Sequence, residues 1–561
     1  MPPAEEKVYD VDVAVIGCGP VGALTANLLG ARGVRTLVIE RNPAPHGRPR
    51  ALPCDDEALR IYQQAGLVEQ VSRDMHPVPV VEYVNRGGRA LATVALAEVD
   101  FGLGHPPLSF VDQRPLEQTL RAGLGRFDQV ALSLGVELVA LRQDTEGVTL
   151  VLRDMITLES RTVRARYVLG CDGARSTTRA ATGIALAGSS YAEPWLDISG
   201  DVAPDAIRVE RTTFVCDWRR PAFASPGAKG SYRMEFMLRP GETADEMRRP
   251  ETIGTLVEPY VDPSRFAVTG AVVNTYHHFV ARQWRVGRVF LLGDAAHQIP
   301  PFMGQGLCSG LRDAANLSWK LALVLAGDAD PTLLETYEIE RRPHTAAMAR
   351  TSARLGRLFQ VRSRSAAWLR DNALGVLQTV PRIRRFVRHF EFKPLPAHPT
   401  GLMAGGRRDG GVGTMFPQPR VATAAMPAPH LLDEALGAGF AVLGLGGAAE
   451  PSRGEWGEWR ELAVRFAVVH QAGTAPDGLP PVRGYGGAER VDLVDVDGTI
   501  SAWLRRHRVE AVVLRPDRFV YGVVAAGETG RVGHALAAAL GTPQASTRPS
   551  VLARGAGLIG G

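Results

Sequence analysis

The chain has 561 residues, 45% of them apolar and 22% charged, with a net charge of +5. These ordinary proportions exclude a disordered chain, a collagen and a small disulfide scaffold, and the length predicts about two to four domains at roughly 100–200 residues each. The slight positive balance is too small for a nucleic-acid-binding face. Cys18, Cys54, Cys171, Cys216 and Cys308 form no CxxC pair, which argues against zinc or dithiol chemistry and fits a reducing, cytoplasmic setting. The first residues, MPPAEEKVYD, do not read as a signal peptide, and no apolar run approaches the ~18 residues of a membrane span.

Residues 11–16 (VDVAVI) read as a buried parallel strand. Gly17-Cys18-Gly19-Pro20-Val21-Gly22 follows, then a helical pattern with Leu24, Leu28 and Leu29, then a second strand, TLVIE, ending at Glu40. This is a βαβ unit with an acid at its end. Gly17 permits the tight turn, Gly19 admits a pyrophosphate, and Gly22 lets helix and strand pack closely. The anion then lies at the helix N-terminus, and Glu40 accepts hydrogen bonds from a ribose.

A second motif, Asp172-Gly173-Ala174-Arg175-Ser176-Thr177-Thr178-Arg179, follows the strand RYVLG. Residues 185–280 change character, with short alternating runs such as TTFVCDW and SYRMEFML that predict an inserted antiparallel sheet. VGRVFLLG (286–293) returns to a buried strand and leads into Gly293-Asp294-Ala295-Ala296-His297, Pro300-Pro301 and Gly304-Gln305-Gly306. A helix is predicted over 306–326. Its N-terminus can stabilise negative charge, and Asp294 can hydrogen-bond a sugar-like hydroxyl. His297 is expected to be structural.

The stretch 361–390 is arginine-rich and amphipathic, but Pro381 interrupts it. It fits a solvated helix pair or a homodimer contact better than a membrane surface. Residues 394–419 hold 11 glycines and prolines, as a linker or wrapping loop does. Strands and helices then alternate to about 545, and the Gly/Ala/Ser/Pro-rich tail from about 543 is expected to be poorly ordered. Asp495-Val496-Asp497-Gly498-Thr499 imitates a phosphatase nucleophile motif, but no lysine follows Lys393, so a strand-to-helix turn is the better reading. Gly530-Arg531-Val532-Gly533 lacks the three-glycine spacing and reads as a helix cap.

The ordered set GxGxxG with Glu40, DGxxSxxR, and GDAAHxxPPxxGQG resembles the single-component, class A FAD-dependent aromatic hydroxylases. The likeness runs nearly end to end and is greatest to the branch of 3-(3-hydroxyphenyl)propionate hydroxylases, through PRALPCDDEALR (49–60), EFMLRPGET (235–243) and LRPDRFVYG (514–522). The resemblance implies an α/β Rossmann-like FAD-binding domain in two parts, 1–185 and 281–395. A substrate-binding β-sheet domain (186–280) is inserted between them, and a linker (396–419) leads to a thioredoxin-like domain (420–561) without the dithiol.

It also implies FAD and a transient NADH or NADPH. Gly17, Gly19, Gly22 and Glu40 would hold the adenosine and pyrophosphate, joined by Arg50 and Gln113. Asp172 and Gly173 would serve FAD and reductant docking, Asp294 the ribityl chain, and Pro301, Gly304, Gly306, Leu307 and Cys308 the flavin ring. Many relatives carry Asn where Cys308 stands, so only main-chain contacts are expected to carry over there. Pro301, Tyr276 and His278 are the candidates for contact with substrate. In an extended strand Tyr276 and His278 share one face and His277 takes the other.

The implied reaction is ortho-hydroxylation of a small phenolic acid in aromatic catabolism, with O2 and a flavin C4a-hydroperoxide. The alternatives are a monooxygenase that tailors or inactivates a polyketide or antibiotic, and a flavin-binding sensor or scaffold.

Overall fold

The computed structural model describes residues 10–541 except 46–50, 406–409, 450–458, 460, 461, 463, 474–478, 480–482, 486, 487, 526 and 527. Arg50 and the tail from 543 therefore lie outside the described residues.

Five parallel strands form the heart of the first sheet, in the order Val289–Leu291, Ser160–Gly170, Val11–Ile16, Thr36–Glu40 and Val130–Leu134. Alternate side chains of Val11–Ile16 enter two different cores. Val13 and Val15 face the helices Pro20–Gly30 and Gly306–Ala326, while Ala14 and Ile16 face the antiparallel hairpins of 136–170. Burial on both faces explains the unbroken apolar run.

The second sheet has eight strands and is built mainly from Leu186–Val202, Thr212–Cys216, Ala222–Pro226, Ser231–Met237 and Phe266–Ala281. It is not confined to 186–280. Val81–Asn85 pairs in parallel with Thr212–Cys216, Ala90–Val94 follows it, and His297–Gln298 closes the opposite edge. Pieces from both flanking segments thus complete the inserted sheet.

The described residues of 396–419 form a packed strap. Leu402, Val412 and Phe416 are buried, and the His398 amide donates to the Gly413 carbonyl at 2.8 Å. In the C-terminal unit three parallel strands, Ala441–Leu445, Arg465–Gln471 and Ala488–Asp495, are followed by the antiparallel pair Ala511–Leu514 and Val520–Val524 and by a closing helix, Thr529–Leu540. This is a thioredoxin-like layering with no cysteine beyond Cys308. Asp495 is buried, and its carboxylate accepts the amides of Ile500 (3.3 Å) and Ser501 (2.8 Å), so it braces the strand-to-helix turn.

Pro381 opens a separate helix, Pro381–Arg388, after Arg364–Leu377, because its missing N–H is tolerated only in a first turn. Trp368, Leu369 and Val376 on the outer side of this pair are exposed. Among the described residues no helix is long and apolar enough to cross a membrane.

The helix Gly306–Ala326 is buried from Cys308 to Val324. It nevertheless carries Arg312, Asn316 and Lys320 at intervals of four, on one face. Arg312 grips Asp55 and Glu57, the latter at 2.6 Å. Asn316 and Lys320 both reach Glu340 at 2.7 Å, and Arg515 of the C-terminal unit grips the same carboxylate through two 2.8 Å bonds.

His398 lies beside this network, stacked on Phe519, and neither ring nitrogen has a hydrogen-bond partner. Burial lowers its pKa from the usual 6.5 to about 3. The unfolded chain therefore takes up a proton at a pH where the folded chain resists it. Stability should fall as pH drops from 6.5 toward 3, and His398→Leu should flatten that part of the profile. Chemical unfolding midpoints between pH 7 and pH 4 measure both effects; an unchanged slope in the variant would refute this origin.

Candidate active site

A cavity of about 1300 Å³ runs from the C-terminal edge of the parallel sheet to the face of the second sheet. It exceeds the ~300–1,000 Å³ of ordinary ligand pockets.

One end is built by the first βαβ unit. Gly17 has φ +95°, and a Cβ there would meet the Cys171 carbonyl at 2.5 Å. A Cβ on Gly22 would lie 2.0 Å from the Gly17 carbonyl, so Gly22 serves helix–strand packing and does not line the cavity. A Cβ on Gly19 would meet no atom within 4 Å; it opens onto the cavity at the N-terminus of helix Pro20–Gly30. Glu40 accepts the Cys18 amide at 2.8 Å and both the amide and Nδ2 of Asn42 at 2.9 Å, so its carboxylate is fixed at the strand end.

Gln113, Glu117 and Arg121 follow at helical intervals of four. Gln113 donates to Glu117 at 2.6 Å, and Arg121 Nε donates to the Cys18 carbonyl at 3.2 Å. Arg121 Nη1 is buried at the cavity wall without a partner. An orphaned guanidinium donor beside an open glycine and a helix N-terminus fits a phosphate oxygen.

The Asp172 carboxylate accepts the hydroxyls of Ser176 (2.5 Å) and Thr178 (3.0 Å) and the Thr178 amide (2.9 Å). It braces the turn that lays Gly173 and Arg175 along the cavity. Opposite, Asp294 is exposed to the cavity. Pro301, Gly304, Gly306 and Leu307 continue the wall. Gly304 has φ +65°, and a Cβ there would strike Pro53 at 2.3 Å. Cys308 does not line the cavity: its thiol donates to the Pro53 carbonyl at 3.3 Å, and burial pushes its pKa up. Any role of Cys308 is therefore that of a wall anchor. His297 is buried with Nε2 2.7 Å from Asp313, which also pairs with Arg341, so it is a packing element behind the loop.

The other end is aromatic. Trp195 stacks against Tyr276 (5.8 Å) and Phe359 (5.9 Å), and Phe302 lies edge-on to Tyr276 (6.2 Å). Phe214 and Phe223 extend this wall, and Phe390 and Phe392 reach it from the turn after the helix pair. One polar group interrupts it. Tyr276 donates to Glu235 at 2.7 Å and to Asp197 at 3.3 Å, Arg233 bonds Glu235 at 2.9 Å, and Asn274 donates to Asp197 at 2.8 Å. Burial and the two carboxylates hold the Tyr276 phenol well above its usual pKa, so it is a neutral hydroxyl.

Tyr276 and His277 line the cavity, whereas His278 does not. The partner strand inserts residues 191–193 opposite Tyr276, and this bulge interrupts the alternation that paired Tyr276 with His278.

Arg121, Asp197, Arg233 and Glu235 were not singled out by sequence. The i, i+4, i+8 spacing of Gln113, Glu117 and Arg121, and the i, i+2 spacing of Arg233 and Glu235, were the available signals.

A family model described as FAD binding domain matches residues 10–352, and one described as HcaD C-terminal domain matches 413–539. A 3-(3-hydroxy-phenyl)propionate/3-hydroxycinnamic acid hydroxylase of Burkholderia cenocepacia is 37% identical over 91% of this chain and 93% of its own. The protein of that name from Mycolicibacterium smegmatis is 36% identical over 91% and 90%. Among solved structures, OxyS anhydrotetracycline hydroxylase from Streptomyces rimosus is 26% identical with a TM-score of 0.73, over 95% of this chain and 99% of that one. Aklavinone-11 hydroxylase with FAD and aklavinone shares the fold, at 22% identity and a TM-score of 0.75 over 95% and 100%. The chain belongs to the FAD-binding family of class A aromatic hydroxylases, that is, FAD-dependent monooxygenases.

FAD fits the dinucleotide end on this chain's own evidence, the open Gly19 cradle and the unpartnered Arg121 donor. Replacing Arg121 with Gln should weaken FAD binding by ~10–100-fold, the range of a charge-assisted hydrogen bond. Fluorescence titration of the deflavinated protein reads the loss; FAD affinity equal to that of the parent would exclude the contact.

Proposed function

We propose that this enzyme hydroxylates an electron-rich phenolic ring ortho to its hydroxyl, using NAD(P)H and O2, and that its substrate is a phenolic acid of the 3-(3-hydroxyphenyl)propionate type. The observation that carries this reading is the continuity of one cavity, with an anion cradle at one end and, at the other, an aromatic chamber into which the Tyr276 hydroxyl is set, hydrogen-bonded to Glu235 and Asp197. The relatives' names support the substrate class. A polycyclic phenol is the second reading, favoured by the likeness to OxyS anhydrotetracycline hydroxylase.

In this reading Gly17, Gly19 and Arg121 would hold the pyrophosphate, Glu40 the adenosine ribose and Asp294 the ribityl chain. The main chain of Pro301, Gly304, Gly306 and Leu307 would carry the ring system. Gly173 and Arg175 face the transient reductant on the turn braced by Asp172. Bound and reduced FAD supplies the oxygen-transferring chemistry.

The chain's own contribution is positioning and proton handling. Phe302, Trp195, Phe214 and Phe359 pack around the substrate ring and exclude water, which guards against H2O2 leakage. The neutral Tyr276 hydroxyl accepts the phenol's hydrogen bond while it donates to Glu235, so the phenolic proton has a path toward a carboxylate. Loss of that proton makes the ring a stronger nucleophile.

The five free cysteines fit a reducing compartment such as the cytoplasm. The exposed outer face with Trp368 and Leu369 supports a homodimer contact.

NAD(P)H oxidation and product analysis across a phenol panel test the reading. 3-(3-Hydroxyphenyl)propionate should give a catechol in step with oxidation, and Tyr276→Phe should lower product formation ~100-fold, the scale of general acid–base assistance, with FAD retained. Turnover of a polycyclic phenol alone would favour the second reading. Oxidation yielding only H2O2 with every phenol would reject both.

A further inference from the structure

We infer that Gly356 sets the width of the substrate chamber. It is a positioning residue: because it has no side chain, the Phe302 ring sits back against the helix, and the space left in front of that ring decides how large a phenol the chamber accepts. This deepens the proposed function and rests on it for what the chamber holds.

Gly356 is the one glycine of the helix Thr336–Phe359 and is buried in its last turn. Glycine within a helix costs stability relative to alanine, so its place here needs a local cause. The cause is Phe302. A Cβ at position 356 would lie 2.4 and 2.5 Å from Cδ2 and Cε2 of the Phe302 ring. Carbon atoms in ordinary contact stay ~3.5–4.0 Å apart, so the ring would have to move by about 1 Å.

The ring cannot take its main chain with it. One turn before Gly356, on the same face, the Ser352 hydroxyl donates to the Pro300 carbonyl at 2.7 Å. The Gly304 amide donates to the Pro301 carbonyl at 2.8 Å, and Gly304 is itself packed against Pro53. Phe302 is thus held by the backbone on both sides and yields only at its side chain. The rings of Tyr191 (5.8 Å), Phe359 (6.1 Å), Tyr276 (6.2 Å) and Trp195 (6.3 Å) stand around it. Its open side is the cavity, which Phe302, Leu355 and Phe359 line and Gly356 does not. A ring pushed off Gly356 enters the chamber.

Phe302 stands where width matters. It follows Pro301, which the proposed function sets beside the flavin, and lies edge-on to Tyr276, which it sets beside the phenol. A ring set back leaves room for a substituted or fused phenol; a ring moved forward leaves room for a small one alone. Overpacking of this kind costs ~10–100-fold in an equilibrium constant.

The test compares phenol, 3-(3-hydroxyphenyl)propionate and 2-naphthol on the oxidised, FAD-loaded enzyme. Dissociation constants are read from perturbation of the flavin spectrum, which needs no turnover. The quantity of interest is the affinity of the largest phenol that the parent binds, relative to phenol itself. Gly356→Ala should lower that ratio ~10–100-fold while FAD affinity stays that of the parent. Adding Phe302→Ala removes the ring carbons nearest position 356 and should restore the ratio. Gly375→Ala is the control: Gly375 lies on the helix Arg364–Leu377, where a Cβ would meet no atom within 4 Å, and the ratio should not change. An unchanged ratio in Gly356→Ala, a loss that Phe302→Ala does not reverse, or a parent enzyme that binds nothing larger than phenol overturns the inference. Should the Gly356→Ala chain fail to fold, the double variant decides: folded, it assigns the clash to Phe302; unfolded, it overturns the inference. The expected ratios without hydroxylation of any phenol would leave the role of Gly356 standing and reject the proposed function instead.

Discussion

A buried helix that carries charges is the constraint on which this architecture rests. Gly306–Ala326 passes through the middle of the molecule, and its charged side chains are matched by other parts of the chain. Arg312 holds the Asp55–Glu57 segment, where Lys393 also pairs with Asp55 at 2.9 Å. Asp313 holds His297 and Arg341, and Asn316 and Lys320 hold Glu340, through which Arg515 attaches the C-terminal unit. Removing one partner of a buried pair leaves an uncompensated charge and costs about 3–5 kcal/mol. The helix, its neighbours and the thioredoxin-like unit therefore keep a single mutual placement. Its N-terminus, at Gly306 and Leu307, is fixed at the cavity wall by the same bonds.

That fixed point joins two environments with opposite demands. The dinucleotide end needs donors open to an anion, supplied by a glycine without a Cβ and an arginine with a spare nitrogen. The chamber end needs dryness, supplied by aromatic rings that touch at 5–6 Å centroid distances, with one group of hydrogen-bonded side chains set into them. Neither end is built from one stretch of sequence. The chamber draws on residues 81–110, 195–235, 273–277, 301–303 and 355–392.

Local features were legible in sequence and assembled ones were not. Gly17, Gly19 and Glu40 belong to a motif whose spacing is set within a single βαβ unit, and so they could be read directly. The strands Val81–Asn85 and Ala90–Val94 looked like part of the first domain because pairing with Thr212–Cys216 spans over a hundred residues and leaves no local trace. Tyr276 and His278 were grouped by alternation, which holds only while the ladder is regular; residues 191–193 on the partner strand break it. Asp197 and Glu235 lie on separate strands that become neighbours, directly paired in register, only when the sheet forms. Cys308 follows Leu307 in sequence yet turns to Pro53, because successive helical residues point in directions about 100° apart.

The helix pair broken at Pro381 has a consequence for how such an enzyme diversifies. The inner sides of this segment contribute Leu374, Val387, Phe390 and Phe392 to the clusters around the chamber, while its outer side faces solvent. The far wall of the chamber is thus a panel separate in sequence from the dinucleotide motifs, tied to the charged spine of the central helix at its end, where Lys393 pairs with Asp55. Lengthening or trimming it reshapes the space beyond the ring and leaves the oxygen-transferring machinery in place. The panel is therefore the part of the chamber whose length can change without disturbing the glycine turns of the dinucleotide end.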